Sequence, residues 1–182
     1  DELISGTLIN IALVLANLKN YKEAKNYYRR AYNIVVRFEM HQGISAAGNG
    51  LGMVYDKLGQ YDTAYFYYNN ALDAAKFSKN DHGIAMSYGN LALNSEYQGD
   101  YSAAIAYYEQ SLAIKERLGN KASLAIGYIG LGQVQSRNGD RSGAIENLKR
   151  GIALATAVDY VEYIKQGHEV LHPLYAEIGQ KA

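Results

Sequence analysis

Apolar residues recur at spacings of three and four along nearly the whole chain, the period of amphipathic helices. Ile44, Ala47, Leu51, Val54, Tyr55 and Leu58 form one such stripe, and Gly59 follows it. A glycine there predicts a helix stop, because it can take the left-handed conformation past the last turn. A second stripe runs from Tyr61 to Lys79 through Ala64, Tyr65, Tyr68, Ala71, Leu72 and Ala75. The pattern therefore predicts helix, turn, helix. Asn80-Asp81-His82-Gly83 and Gly119-Asn120-Lys121 mark the turns back. Asn20, Asp100 and Asp140 precede second helices, where a short oxygen-bearing side chain caps free amides. Asn20 and Glu23 have the spacing of a capping box. One proline, Pro173, occurs in the whole chain, as long uninterrupted helices require.

The same helix pair is written repeatedly with a 40-residue period. Tyr21, Tyr61 and Tyr101 head the second helices, with Arg141 in the fourth place, and Ala24, Ala64, Ala104 and Ala144 follow. Gly59, Gly99, Gly139 and Gly179 precede this group, with Lys19 in the first slot. A fixed period means stacked copies of one supersecondary unit. The expected organisation is a single array of repeats over about 2–41, 42–81, 82–121 and 122–160, with a partial fifth over 161–182. Small residues form two columns inside the helices: Ala12, Gly52, Ala92 and Gly132, and the alanines at 24, 64, 104 and 144. Glycine inside a helix costs about 1 kcal/mol relative to alanine. Its presence implies close backbone approach, with Tyr28, Tyr68, Tyr108 and Leu148 filling the space around it.

Composition narrows the function classes. Lys plus Arg is 18 and Asp plus Glu is 18, so the net charge is zero, without the basic excess of a nucleic-acid binder. Lys22, Lys25, Arg29 and Arg30 fall at helical spacing and read as a solvated face. There is no cysteine, which excludes disulfides and thiol chemistry without choosing a compartment. No apolar run approaches the roughly 18 residues of a membrane span. Both ends look cut through a repeat, so the chain reads as a fragment of a larger protein.

These residues resemble the tetratricopeptide repeat (TPR) family. Leu51-Gly52-x-x-Tyr55 and Ala64-x-x-x-Tyr68 match its pattern, as do Gly99-Asp100-Tyr101-x-x-Ala104 and Tyr107-Tyr108. The period is 40 rather than 34, and the usual tryptophan and the proline after each second helix are missing. This longer variety is similar to the repeats of LGN/Pins-type modulators, kinesin light chains, Rap-type regulators and bacterial sensor proteins. The phrase Ser111-Leu-Ala-Ile-Lys-Glu-Arg-Leu-Gly119 resembles the bacterial signalling proteins in particular. The resemblance implies an all-α, right-handed α-solenoid of four helix-turn-helix pairs plus a final helix. It also implies that the first helix of each pair lines a concave face.

Carried onto this chain, that face holds Asn10 and Asn90 in a column with Gly50 and Gly130, and Asn49 in the neighbouring one. Leu13, Met53, Leu93 and Gln133 form the next column, one turn on. Asn17, Lys57, Tyr97 and Arg137 end the row, flanked by Asp56 and Glu96. Asparagine carries both donors and acceptors for a peptide backbone, and an apolar ridge seats a helix or an extended segment. The family's carboxylate clamp would place its first Lys and Asn at Ile9 and Leu13, or at Asn49 and Met53, so a chaperone-tail ligand is not expected.

One enzyme-like motif stands out. His168-Glu169-Val170-Leu171-His172 matches the H-E-x-x-H pattern of zinc proteases, in which histidines four apart share a helix face. Pro173 follows the second histidine, few residues remain for a third ligand, and Leu171 falls in the column of Leu51, Leu91 and Leu131. The segment therefore reads as the first helix of a fifth repeat, with His172 crowded in the small-residue column. The expected function is a non-enzymatic module, without metal or cofactor, that binds a protein or peptide partner within a signalling or regulatory protein. Nucleic acid and membrane insertion are not expected, and the expected setting is the cytoplasm, with a periplasmic sensor segment as the alternative. Self-association through uncapped array ends is the alternative function.

Overall fold

The computed structural model describes residues 1–179, and its side chains up to residue 176. The described residues form nine α-helices and no strand: α1 Glu2–Asn17, α2 Tyr21–Arg37, α3 His41–Lys57, α4 Tyr61–Phe77, α5 Asp81–Tyr97, α6 Tyr101–Leu118, α7 Lys121–Arg137, α8 Arg141–Thr156 and α9 Val161–Gly179. The all-α helix-turn-helix fold expected from the periodicity is the one observed. The helices fall into two compact units, Asp1–Gln98 with α1 to α5 and Gly99–Ala182 with α6 to α9.

The turns repeat with half the sequence period. Lys19, Glu39, Gly59, Lys79, Gly99, Gly119, Gly139 and Asp159, each 20 residues from the next, all have positive φ, between 52° and 88°. In several of them the following amide reaches back five residues, as Asn80 N does to Ala75 O at 2.9 Å and Asp140 N to Gln135 O at 2.9 Å. This bond closes a helix end around one left-handed residue. Asp100 and Asp140 cap α6 and α8 as expected, accepting from Ala103 N and Gly143 N at 3.0 Å each. Asn20 differs: its side chain makes no bond to the helix amides and instead donates to Glu23 Oε2 at 2.8 Å. Asn80 and Asn120, which open the first helices α5 and α7, carry the caps that the turn reading did not assign.

The small-residue columns lie in the core. Ala24, Ala64, Ala104 and Ala144 are fully buried, as are Tyr28, Tyr68, Tyr108 and Leu148 apart from a few per cent. In the first unit Tyr28 packs with Ala12, Ala16, Ala24, Leu51 and Val54, while Leu8, Ala31, Val35 and Ala47 form an adjoining cluster. In the second unit Ile129, Ala144, Leu148, Leu171 and Leu174 pack together. A Cβ on Gly52 would lie 2.4 Å from the Tyr68 ring, and one on Gly132 would lie 2.7 Å from Leu148. Interiors packed at crystal-like density leave no room for that atom. Glycine at these two positions lets α3 meet α4 and α7 meet α8.

Candidate functional site

In the first unit α1, α3 and α5 lie side by side. Leu13 on α1 and Leu93 on α5 are exposed, with the half-buried Met53 of α3 in the same column. Asn17, Lys57 and Tyr97, one turn further on, are exposed as well. Lys57 and Tyr97 meet across the helix pair: Lys57 Nζ donates to Tyr97 Oη at 3.4 Å and stands 5.7 Å from the ring centroid. The Tyr97 ring in turn stacks against Tyr61, with centroids 5.8 Å apart. This is an apolar step flanked by one cation and two aromatic rings. In the second unit Gln133 is half-buried and Arg137 exposed, and Gln166 of α9 donates to Gln133 Oε1 at 3.4 Å.

Two expected site columns are placed differently. Asn49 is buried. Its Nδ2 donates to Ser45 O at 3.0 Å and to Ser87 Oγ at 2.9 Å, and its Oδ1 accepts from Asn90 Nδ2 at 2.9 Å. Its hydrogen-bonding capacity is engaged in joining α3 to α5, and Asn90 is half-buried beside it. The column of Gly50 and Gly130 is a packing seam. A Cβ there would lie 2.3 Å from Tyr28 or 2.8 Å from Tyr108, side chains of the preceding second helices. Asn10 shares that column but is exposed, on the same helix face as Leu13 three residues on and Asn17 seven residues on.

Asp56, expected as a charge beside the groove, is buried. Tyr68 Oη donates to its Oδ2 at 2.8 Å and Asn94 Nδ2 to its Oδ1 at 2.7 Å. Asn94 also donates to Tyr61 O at 3.0 Å and accepts from Gln98 Nε2 at 2.9 Å. Burial raises the Asp56 carboxyl above its ordinary range, with the bonds from Asn94 and Tyr68 and the Lys57 charge opposing the shift. Burial, followed by the Asp56 charge, pushes the Tyr68 phenol upward. This polar seam lies directly under Lys57, Tyr61 and Tyr97. Its sequence signal is Asn94, which breaks a column otherwise filled by Val14, Val54 and Val134.

The histidine motif lies on α9. His168 is half-buried, and its ring centroid is 5.2 Å from that of His172. Glu169 turns to Lys165, at 3.9 Å. Among the described residues no group of three or more His, Cys, Asp and Glu side chains is placed to hold a metal ion. Leu171 is buried in the core column as expected. His172 is exposed rather than crowded. At Gly52 and Gly132 the crowding side chain comes from the second helix of the same pair, and among the described residues no such helix follows α9.

No helix among the described residues is long and apolar enough to cross a membrane. The family model described as tetratricopeptide repeat matches residues 3–76, 44–117 and 83–157. No curated protein sequence matches the chain. Among solved structures, a Rap protein complexed with competence and sporulation factor is similar at TM-score 0.86 and 21% identity, over 99% of this chain and 54% of that one. Aspartyl phosphate phosphatase F from Bacillus subtilis is similar at TM-score 0.83 and 19% identity, over 97% of this chain and 50% of that one. A putative kinesin light chain with nearly identical TPR-like repeats from Podosopora anserina is similar at TM-score 0.76 and 18% identity, over 96% of this chain and 86% of that one. The chain thus spans about half the length of the first two. At these identities the likeness is one of fold.

Proposed function

The chain belongs to the tetratricopeptide repeat family, and on that premise we propose that it is a non-catalytic module binding a protein or peptide segment on the face of α1, α3 and α5. The observation that carries this reading is the exposed ladder of Leu13 and Leu93 on either side of Met53, with Asn17, Lys57 and Tyr97 along its edge. An apolar ladder with a polar border is how helical segments seat amphipathic helices or alternate side chains of extended peptides. Lys57 adds a preference for a partner with a carboxylate near its anchoring residue, and the rings of Tyr61 and Tyr97 offer flat contact area at low entropy cost. In the second unit, Gln133 and Arg137 supply a smaller polar contact set of the same kind. A protein of like fold, a Rap protein, is seen complexed with competence and sporulation factor, which supports a partner-binding role.

The test is a selection of random-sequence peptides on the immobilised chain, followed by hydrogen-exchange mapping of the selected ligands. The reading expects slowed exchange in α1, α3 and α5 and ligands carrying spaced apolar residues next to an acid. Ligands that protect only the outer faces of α2 and α4 would overturn it.

A further inference from the structure

We infer that the outer side of the first unit, between α2 and α4, is a second docking surface, which takes an acidic segment of a partner protein. The chain carries no net charge, yet its cations are unevenly placed. Helix α2 alone holds Lys22, Lys25, Arg29, Arg30 and Arg37 against one acid, Glu23. Lys22, Lys25 and Arg29, at spacings of three and four, share one face of the helix. Among the described residues none of these three forms an ion pair. Glu23 is engaged at the helix start by Asn20, at 2.8 Å.

The face is open because it points out of the repeat stack. Helix α4, which has α2 before it, still exposes Asp62, Tyr65, Lys76 and Phe77, the places forty residues on from Lys22, Lys25, Val36 and Arg37. Asn69, forty on from Arg29, is half-buried. Arg30 is not part of the surface, because Asn70, forty on, turns to the Tyr32 hydroxyl.

The cations border a floor of rings. Tyr32 of α2 meets Tyr67 of α4 edge to face, with centroids 5.2 Å apart, and Tyr67 stacks on Tyr55 of α3 at 5.4 Å. Lys25 Nζ stands 5.7 Å from the Tyr55 centroid, and the Arg29 charge acts on Tyr67. Phe66 of α4, 58% exposed, packs its ring against Tyr67 at 5.3 Å. Three cations without acidic partners, beside half-buried rings and an exposed phenylalanine, complement a segment with carboxylates three and four residues apart and one large apolar side chain next to them. The rings argue against nucleic acid. Their faces are taken up by one another and by Lys25, whereas bases stack on free ring faces.

The experiment titrates a stapled peptide, with glutamates at spacings of three and four and one phenylalanine, into the full chain. The readouts are calorimetry and hydrogen exchange. One-to-one binding that slows exchange in α2 and α4 and weakens as salt rises is expected. The double variant Lys25→Glu and Arg29→Glu should weaken it at least tenfold, and should accept instead the peptide with lysines in place of the glutamates. If the melting curve of that variant collapses, Lys22→Glu with Arg29→Glu serves in its place. Lys57→Glu should leave the binding unchanged, which separates this surface from the ladder of α1, α3 and α5. No binding at millimolar peptide, binding untouched by the double variant, or loss with Lys57→Glu overturns the proposal. Oligo-dT bound more tightly than the peptide would assign the face to nucleic acid and likewise overturn it.

Discussion

Asn94 of α5 donates a 2.7 Å hydrogen bond to the buried carboxylate of Asp56 on α3. The bond ties together the two helices that carry Lys57 and Tyr97. A buried carboxylate that loses one of two donors bears much of the desolvation penalty unopposed. Asn94→Val, although it restores the residue found at 14, 54 and 134, should destabilise the chain by about 1–3 kcal/mol. Adding Asp56→Ala, the residue found at position 16, should recover part of that loss. Urea denaturation of the two single variants and the double variant measures the coupling. Additive effects would contradict the bond's role.

The raised Asp56 carboxyl makes a pH prediction whose sign is set by burial. Its folded pKa lies above its unfolded one, so the folded state holds the proton more tightly. The stability Asp56 contributes is largest below the ordinary carboxylate range and falls as pH rises through the folded pKa. Relative to wild type, Asp56→Asn should therefore gain stability as pH rises from about 4 to 7. Denaturation midpoints of both proteins across that range give the difference. A flat or falling difference would count against a buried, ionising Asp56.

The alanine column sets a packing limit. Ala64 and Ala104 are fully buried, and extra methylenes in a filled core cost about 1–3 kcal/mol. Ala64→Leu and Ala104→Leu should each destabilise by that amount. Gly50→Ala should do the same, since its Cβ would lie 2.3 Å from the Tyr28 ring. Melting temperatures unchanged by all three would show that the helices can move apart freely.

The left-handed turn residue predicts a stabilising change. Lys79 has φ 53°, a conformation that is strained for a residue with a Cβ. Lys79→Gly removes that strain at the cost of greater freedom in the unfolded chain. The net expectation is a gain of about 0.5–1 kcal/mol, read as a higher denaturation midpoint. A loss would mean that the Lys79 side chain makes a compensating contact.

The helices, their pairing and the small-residue columns are legible in the sequence because every repeat solves the same packing problem, so Gly52 and Gly132 recur for one physical reason. The polar seam was harder to read. Asn94 and Asn49 are polar residues whose helical phase does not reveal that Asp56 and Ser87 will face them from another helix. The burial of the Gly50 and Gly130 positions is not legible, because an empty glycine position looks alike whether solvent or a tyrosine ring lies above it. His172 shares the column of Gly52 and Gly132 but is exposed, since among the described residues no helix follows α9 to crowd it. Asn20 and Asn80 look equally suited to capping, but only Asn80 turns its side chain to an amide, that of Gly83 at 3.0 Å.

Partner binding is proposed on the ladder of α1, α3 and α5. Its most direct measurement is the dissociation constant of one selected ligand for wild type and for Leu13→Asp and Leu93→Asp. Both leucines are exposed, so folding should be retained. Losing an apolar contact of about 1.5–3 kcal/mol corresponds to roughly tenfold weaker binding or more. At least tenfold weaker binding with unchanged melting is the predicted result; affinities within twofold of wild type in both variants would contradict the account.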